Sequence, residues 1–290
     1  MNTKVSVIIS TYNYGKYLKT AVNSVLNQSF NDFEIIIADD CSTDNTRKVI
    51  AEFTDPRIRT IVHEKNIGQA ANKNSALKLA RGDYIAILDA DDWFEKTYLE
   101  NTIKPFTDSK VGAVYTKKIF HFDNAPSTIP NQKIYNGYII KELFINNFIG
   151  TSVMFRKSAI PKGYSTTLNP EMNNMGCDWW ILLELSLDYK IMGIDKPLYN
   201  YSHHQGQISS NNLKRIESDK IIQNQFLKMY GNVIPKDVRK KAIYWFFIRK
   251  GYYMREENLK FNACISYMNA IKFNPLAVLP LKGILSTILS

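Results

Sequence analysis

The sequence predicts a Rossmann-like α/β fold: a mainly parallel sheet with helices on both faces, followed by an α-helical extension. In the first half of the chain, short apolar runs alternate with stretches of helical periodicity, which is the pattern of a parallel sheet. The runs Ile35-Ile36-Ile37 and Ile85-Ala86-Ile87-Leu88 are wholly apolar, as strands buried on both faces require. Beyond Asn211 the pattern is helical only.

The individual elements follow from periodicity and from turn and capping residues. Strands are predicted at Val5–Ile9, Phe33–Ala38, Ile58–Val62, Tyr84–Leu88, Val111–Tyr115 and Gly150–Arg156. Helices are predicted at Lys16–Asn27, Gln69–Ala80, Lys96–Phe106 and Asp178–Leu187, together with one that Asp44 caps and that ends near Phe53. The polar, turn-rich segments His121–Lys133 and Pro161–Gly176 are predicted to be loops.

Two regions are expected, an α/β domain over residues 1–210 and a basic helical region over residues 211–290. Within the second, Gly251 to Pro275 has the spacing of one tetratricopeptide-like helix pair. One copy cannot form a solenoid, because such repeats bury a core only by stacking. We therefore expect a helical hairpin that packs on the main domain or on a partner.

Composition excludes several classes of protein. With 45% hydrophobic and 22% charged residues, the chain is neither disordered nor fibrous. The apolar run that begins at Val5 is too short for a secretory signal, and no run of apolar residues is long enough for a transmembrane helix. Cys41, Cys177 and Cys264 are too far apart to suggest a zinc site or a disulfide framework. These features predict a cytoplasmic protein.

The net charge of +10 is concentrated near the C-terminus, where residues 213–290 hold 14 Lys and Arg but 5 Asp and Glu. This asymmetry indicates an anionic partner or a solvated basic face. Nucleic acid is disfavoured, because no recognised binding motif is present. The segment Leu276–Leu289 is mostly apolar with only Lys282 charged, which predicts a peripheral contact with an anionic membrane surface. Packing on the catalytic region or a homodimer contact is the alternative.

Polar clusters follow four of the predicted strands, at the sheet edge where α/β proteins bind ligands. They are Ser10-Thr11-Tyr12-Asn13, the run Asp39-Asp40-Cys41-Ser42-Thr43-Asp44, Asn66-Ile67-Gly68 with Lys73, and Asp89-Ala90-Asp91-Asp92. Turn and capping roles explain one or two of these clusters. They do not explain five aspartates at the ends of two strands, whose mutual repulsion requires a cation.

In order and spacing these clusters resemble the motifs of family 2 glycosyltransferases of the GT-A fold, over about residues 4–205. The run Leu88-Asp89-Ala90-Asp91-Asp92 is similar to the metal motif of that family. Four positions depart from the family pattern: Ser10 replaces proline, Cys41 glycine, Lys73 arginine and Cys177 glutamate.

The resemblance implies an inverting transferase that moves a sugar from a nucleotide-diphosphate donor, a UDP-sugar, to a hydroxyl of a glycan or lipid-linked acceptor in surface polysaccharide synthesis. Asp91 would bind Mn²⁺ or Mg²⁺, and Asp89 the ribose or the metal shell. Alternate residues of an extended chain share a face, and a hard cation neutralises a leaving diphosphate. The other residues implied at the donor are Thr11, Tyr12, Asn13, Asp39, Asp40, Lys73 and Ala90.

On the acceptor side, the resemblance makes Asp178 the catalytic base, although a helix N-cap is the alternative interpretation. Trp179 and Trp180 would line the acceptor pocket or belong to the core. His204 would contact metal or phosphate.

Two other functions are weighed against this one. A sugar-nucleotide nucleotidyltransferase would open with a glycine-rich loop after the first strand, and none is present. A degenerate, non-catalytic family member would account for the four departures but not for the intact aspartates.

Overall fold

The computed structural model describes residues 3–160, 163–164, 175–204, 206–207 and 211–289. The chain forms two compact units. The first comprises Met1–Ile139 and Ile149–Gln205, and the second comprises Ile140–Phe148 and Gly206–Ser290. The division near residue 205 lies close to the expected boundary at 210. The short segment Ile140–Phe148, in contrast, belongs to the second unit although it lies within the first in sequence.

The first unit contains a nine-stranded sheet within the described residues. Its strands are β1 (Val5–Thr11), β2 (Phe33–Asp39), β3 (Ile58–Val62), β4 (Tyr84–Asp89), β5 (Trp93–Phe94), β6 (Val111–Phe122), β7 (Ala125–Thr128), β8 (Val153–Arg156) and β9 (Lys190–His203). They are ordered β3-β2-β1-β4-β8-β6-β9-β5, and β7 pairs with β6.

The first four strands are all parallel, as the sequence predicts. The rest of the sheet is mixed: β8 runs antiparallel to both β4 and β6, whereas β6 and β9 are parallel. The register places Thr11 opposite Asp39 and Ser10 opposite Asp89. The carboxyl ends of β1, β2 and β4 therefore meet at one edge, as the ligand-binding interpretation requires.

The five helices predicted individually lie close to their expected positions, the region beyond Asn211 is helical as predicted, and α5 was not predicted. They are α1 (Gly15–Leu26), α2 (Thr46–Ala51), α3 (Gln69–Leu79), α4 (Tyr98–Ile103), α5 (Ile140–Ile145), α6 (Cys177–Leu185), α7 (Asn212–Tyr230), α8 (Lys236–Glu256), α9 (Lys260–Ile271) and α10 (Val278–Leu289). Helices α5 and α7 to α10 belong to the second unit.

The core of the first unit explains why its strands are so apolar. Val7 and Ile9 of β1 pack with Leu18 and Val22 of α1. Ile8, which points to the opposite face of the sheet, is also fully buried. A buried side chain of this size contributes about 1.5–3 kcal/mol relative to an exposed one. The prediction of strands buried on both faces is confirmed.

Two local predictions need correction, and a third lies mostly outside the described residues. The segment His121–Lys133 is not simply a loop, because β6 runs to Phe122 and turns back into β7. Backbone pairing with β9 extends β6 beyond its apolar part. Because backbone hydrogen bonds do not require apolar side chains, the polar sequence gave no sign of this strand. Helix α2 begins at Thr46, whose N–H donates to Asp44 Oδ1 at 2.9 Å, although Asn45 is the cap residue. The predicted loop 161–176 lies mostly outside the described residues.

In the second unit, helices α8 and α9 occupy the segment with tetratricopeptide-like spacing. Gly251 of α8 faces the ring of Tyr267 on α9 so closely that an added Cβ would lie 2.8 Å from it. Ala263 and Ala270 are fully buried in the same cluster, and the rings of Phe247 and Phe273 stack. None of the described helices has the length and apolar character needed to cross a membrane.

Candidate active site

The ends of β1 and β2 and the loops after them form one hydrogen-bonded assembly. Asn13 Oδ1 accepts from the N–H groups of Thr43 at 2.8 Å and Asp44 at 3.3 Å, and its own N–H donates to Ser42 Oγ at 2.8 Å. Asn13 and Cys41 both adopt positive φ angles, 60° and 64°. The family pattern has glycine where Cys41 stands, and a left-handed backbone explains that preference.

Asp39, implied to recognise the nucleotide base, has a fully buried carboxylate. It accepts from the N–H of Ser42 at 3.2 Å and from the Ser42 hydroxyl, and Arg47 Nε lies 3.4 Å away. Recognition of a base by Asp39 therefore stays a prediction.

Asp40 has a structural role in this conformation. One carboxylate oxygen accepts from the N–H of Ile67 at 2.7 Å and the other from the N–H of Gly68 at 2.9 Å. The side chain is buried. Both oxygens thus hold the loop before α3, and binding of the donor by Asp40, as by Asp39, stays a prediction.

Tyr12 and Thr11 stand next to this assembly. Tyr12 is 43% exposed, so its ring presents a free face. The Thr11 hydroxyl is buried and, within the described part of the chain, has no hydrogen-bond partner. Buried polar groups are normally paired, so this hydroxyl is suited to contact a ligand at the sheet edge.

The run after β4 divides its carboxylates between two tasks. Asp92 is buried and accepts from the Tyr199 hydroxyl at 2.7 Å and from the N–H of Ser202 at 2.9 Å. Burial, and then the nearby Asp91 and Asp89, raise the pKa of Asp92 well above its ordinary value. Asp92 thus ties β9 to the end of β4, and the other two carboxylates of the run, Asp89 and Asp91, lie on either side of the buried Ala90.

Asp91 lies beside His204. The distance from His204 Nε2 to Asp91 Oδ2 is 3.2 Å. Tyr17 stacks on the imidazole with 4.8 Å between ring centroids, and Tyr14 meets it edge-on at 5.9 Å. Burial, followed by the charges of Asp91 and Asp89, raises the pKa of Tyr14. The two tyrosines therefore fix the orientation of His204 next to the acidic run.

Lys73 joins the donor motif to the expected base. Its ammonium is fully buried, 3.0 Å from Asp178 Oδ1 and 3.5 Å from Asp89 Oδ1. Burial alone would lower the pKa of Lys73, but the carboxylates of Asp178 and Asp89 outweigh burial and raise it well above its ordinary value. The ring of Tyr164 lies 5.4 Å from the ammonium. Two acidic groups 89 residues apart in sequence therefore share one cation.

Asp178 lies in the first turn of α6, where the helix dipole stabilises a negative charge. The cap residue is Gly176, with φ 87°, so Asp178 is not the N-cap. Its side chain keeps 17% exposure. Cys177, at the position of the usual glutamate, is fully buried, and burial raises its thiol pKa. The thiol therefore does not replace that acid.

The two tryptophans after Asp178 lie in the interior. Trp179 is fully buried and Trp180 is 5% exposed. In this conformation neither indole presents a face to a sugar, so the core interpretation holds for Trp179 and an acceptor-side role is not supported for either.

The residues implied for a metal are suited to bind a divalent cation that takes its remaining ligands from the phosphates of the substrate. Among the described residues, no group of three or more His, Cys, Asp or Glu side chains is arranged to hold an ion. Asp91 and Asp89 nevertheless supply carboxylate oxygens beside a partly buried edge. Mg²⁺ at nucleotide sites is commonly bound by one or two carboxylates together with substrate phosphates, which this arrangement matches.

Comparison with known proteins decides the family. The model of Glycosyl transferase family 2 matches residues 6–163. This chain belongs to glycosyltransferase family 2.

Two relatives and one solved structure show how far the likeness extends. The chain is 32% identical over 231 residues to WfaP of Escherichia coli, named a UDP-Glc:alpha-D-GlcNAc-diphosphoundecaprenol beta-1,3-glucosyltransferase, covering 78% of this chain and 86% of WfaP. It is 44% identical over 102 residues to TuaG of Bacillus subtilis (strain 168), covering 34% of this chain but only 40% of TuaG.

The fold is that of GT-A glycosyltransferases. A mannosyltransferase from Pyrobaculum calidifontis, solved in complex with GDP-Man and Mn²⁺, superimposes with a TM-score of 0.69 at 17% identity. The superposition covers 99% of this chain and 79% of that one.

Sequence reasoning missed several residues at the site of this family 2 member. The sequence patterns do not single out Tyr14, Tyr17, Arg47, Tyr164 or Tyr199. Each of these residues contacts a side chain on a different helix, strand or loop. Local sequence patterns therefore cannot predict its place at the site. The nearest signal in the sequence is Tyr199, which lies five residues before His204.

Proposed function

We propose that this protein is an inverting glycosyltransferase that moves a sugar from a UDP-sugar to a hydroxyl of a glycan or lipid-linked acceptor. The observation that carries the proposal is the buried ammonium of Lys73, which contacts Asp89 of the donor motif and Asp178 of α6. A single transfer centre needs a donor site and a base side by side. This bridge supports that arrangement.

On the donor side, Tyr12 would stack on the nucleotide base and the Thr11 hydroxyl would accept or donate a hydrogen bond to the donor. Asp39 would contact the base after exchanging its present partners. The preference for a uridine nucleotide draws on the name of WfaP, which specifies UDP-Glc. The Pyrobaculum calidifontis structure holds GDP-Man, and a comparison of UDP-sugars with GDP-sugars as donors tests the proposed preference.

A divalent cation would be held by Asp91, with Asp89 and His204 next to it. When bound, Mn²⁺ or Mg²⁺ neutralises the charge of the departing nucleoside diphosphate. The rigid position of His204, between Tyr14 and Tyr17, keeps its Nε2 directed at Asp91. The Pyrobaculum calidifontis complex with Mn²⁺ supports the choice of metal.

Asp178 would act as the general base. Its carboxylate takes the proton of the acceptor hydroxyl, while that oxygen attacks the anomeric carbon on the face opposite the departing diphosphate. This displacement inverts the configuration. Lys73 holds the carboxylate in position before the donor binds, and it can then turn to the donor phosphates as a point charge. A base of this kind contributes about 10²–10⁴-fold to the rate.

The acceptor and the place of action follow from the same reasoning. WfaP acts, by its name, on a sugar linked to diphosphoundecaprenol, so we propose a lipid-linked acceptor of surface polysaccharide synthesis at the cytoplasmic face of the membrane. The three cysteines are free thiols in the structure, which is compatible with a reducing compartment.

Family membership removes the nucleotidyltransferase alternative. The alternative of an inactive member rests on the departures at Ser10, Cys41, Lys73 and Cys177. Cys41 occupies the backbone conformation typical of the glycine it replaces, and Lys73 reaches both carboxylates. These two departures therefore preserve the site.

The test is a panel of nucleotide sugars with lipid-linked and free glycan acceptors, with Mn²⁺, Mg²⁺ or chelator. Asp178→Asn is expected to lower kcat by about 10²–10⁴-fold, because an amide cannot accept the proton, while calorimetric binding of UDP with Mn²⁺ stays unchanged. Asp188→Asn is the matched control on an exposed residue. Near wild-type turnover by Asp178→Asn would contradict the base assignment, and equal loss of UDP affinity would move Asp178 to the donor site.

The metal assignment is tested separately with Asp91→Ala. This variant is expected to lose metal-dependent transfer and to remain folded, because removal of one crowded carboxylate relieves repulsion. Turnover by Asp91→Ala at the wild-type level would refute the assignment of Asp91 as a metal ligand.

A further inference from the structure

The last two helices of the second unit expose apolar side chains in rows. On α9 the row is Phe261, Ile265 and Met268, which are 39–76% exposed. On α10 it is Leu281, Leu285 and Ile288, which are 55–69% exposed. Spacings of three and four residues place each row on one side of its helix. We call these six residues the α9–α10 face.

The opposite side of α10 is packed. Pro280 and Thr287 are buried, and Gly283 approaches the Tyr267 ring of α9 so closely that an added Cβ would lie 2.6 Å from it. The helix is therefore seated on α9 with its apolar side outward. The last helix of a helical array normally presents a polar outer face, since solubility depends on it. An apolar outer face indicates an interaction surface.

Charge identifies the kind of partner. From Asn258 to Ser290 the sequence contains no Asp or Glu, and its three charged residues are Lys260, Lys272 and Lys282. All three lysines are exposed. Two copies of this face would bring like charges together, and the whole segment 211–290 carries 14 basic against 5 acidic residues. A second copy is therefore disfavoured and an anionic partner is favoured.

We propose that the α9–α10 face binds an anionic lipid bilayer. Apolar helices with lysines and no acidic residues lie in the plane of the interface, with their apolar side among the headgroups and upper acyl chains. Leu276, in the turn between α9 and α10, is 94% exposed and would insert with them. Neither helix has the length to cross the bilayer, so the contact is peripheral. This inference does not depend on the proposed transfer reaction.

The test is sedimentation of the full chain with phosphatidylcholine vesicles, with and without phosphatidylglycerol, at low and high salt. We expect binding to the anionic vesicles that weakens as salt screens the lysines. Each lysine near an anionic surface raises binding about fivefold. Changing Lys260, Lys272 and Lys282 to Gln is thus expected to lower affinity on the order of a hundredfold. The matched control changes three exposed lysines of the first unit, Lys48, Lys65 and Lys78, to Gln.

The apolar part is tested with Leu281→Ser combined with Leu285→Ser, which is expected to lower affinity roughly a hundredfold because each leucine buries apolar area in the lipid. The control, Met229→Ser with Val233→Ser, changes two exposed apolar residues of the same unit outside the face. Circular dichroism melting checks that all variants fold.

Three results would overturn the proposal: the full chain remains in the supernatant with anionic vesicles at low salt, the control variants lose as much binding as the face variants, or sedimentation velocity shows a dimer that Leu281→Ser with Leu285→Ser dissociates. The last result would assign the face to self-association. Because vesicle binding is measured without donor or acceptor, failure here leaves the proposed transfer reaction intact.

Discussion

The buried bridge at Lys73 makes a quantitative prediction about stability. In Lys73→Met the side chain keeps nearly the same length and apolar character but loses its charge. The carboxylates of Asp178 and Asp89 then lose the cation that lies 3.0 Å and 3.5 Å from them. Water replaces that cation poorly, because the ammonium site is fully buried.

The size of the effect follows from burial rather than distance. Removing one partner of a buried ion pair costs about 3–5 kcal/mol, because the remaining charge stays buried and unpaired. The pair of Lys104 with Glu100 provides the comparison: its nitrogen–oxygen distance is also 3.0 Å, but its side chains are 63% and 44% exposed. An exposed pair of this kind contributes little to stability. Lys104→Met is therefore the matched control.

Urea unfolding at neutral pH, without metal or donor, measures the difference in the free energy of unfolding. Trp93, Trp179 and Trp180, three of the four tryptophans, belong to the first unit and report on it. A double-mutant cycle with Asp178→Asn isolates the pair. We expect the double variant to be less destabilised than the sum of the single variants, since it leaves one buried charge fewer.

Two results would refute this reasoning. If Lys73→Met lowers stability no more than Lys104→Met, the ammonium is not buried between the carboxylates. If the effects of Lys73→Met and Asp178→Asn simply add, the two side chains are not coupled, and the observation that carries the proposed function fails with them.

Two further predictions concern packing and acid stability. Gly251→Ala should destabilise the second unit by about 1–3 kcal/mol in thermal melts, because the added methyl meets the Tyr267 ring. The control, Gly231→Ala, has open space around it and should not destabilise the unit. Equal effects of the two variants would contradict the packing of Gly251 on Tyr267. Although burial raises the pKa of Glu34, hydrogen bonds, including one from Arg59, outweigh it and lower that pKa. A carboxylate with a lowered pKa stabilises the fold at pH values above its ordinary pKa. This stabilisation is lost as the pH falls through the lowered pKa. Glu34→Gln should therefore cost about 1–3 kcal/mol at neutral pH, with the difference from wild type narrowing in acid; a constant difference across pH would contradict the assignment.

The first part of the fold could be predicted from local sequence because its signals are local. The uninterrupted apolar runs of β2 and β4 require burial on both faces, and the structure confirms it. The run at Asp89 was recognisable because a parallel sheet gathers the carboxyl ends of its strands at one edge. The hairpin of β6 and β7 could not be predicted in this way, since the end of β6 is stabilised by pairing with β9 and the exposed β7 by pairing with β6, rather than by an apolar pattern.

Local motifs were enough to name the residues that could form the site, namely the aspartates after β2 and β4, Lys73, Asp178 and His204. The folded structure was needed to show which partner each of them contacts. Lys73 meets Asp178 across 105 residues of chain, Asp92 is taken up by Tyr199 across 107, and Asp40 is committed to a loop. Periodicity and capping report on neighbours within a turn or a strand. The partner of a buried charge, in contrast, is set by which elements pack together, and it becomes visible only when the chain is folded.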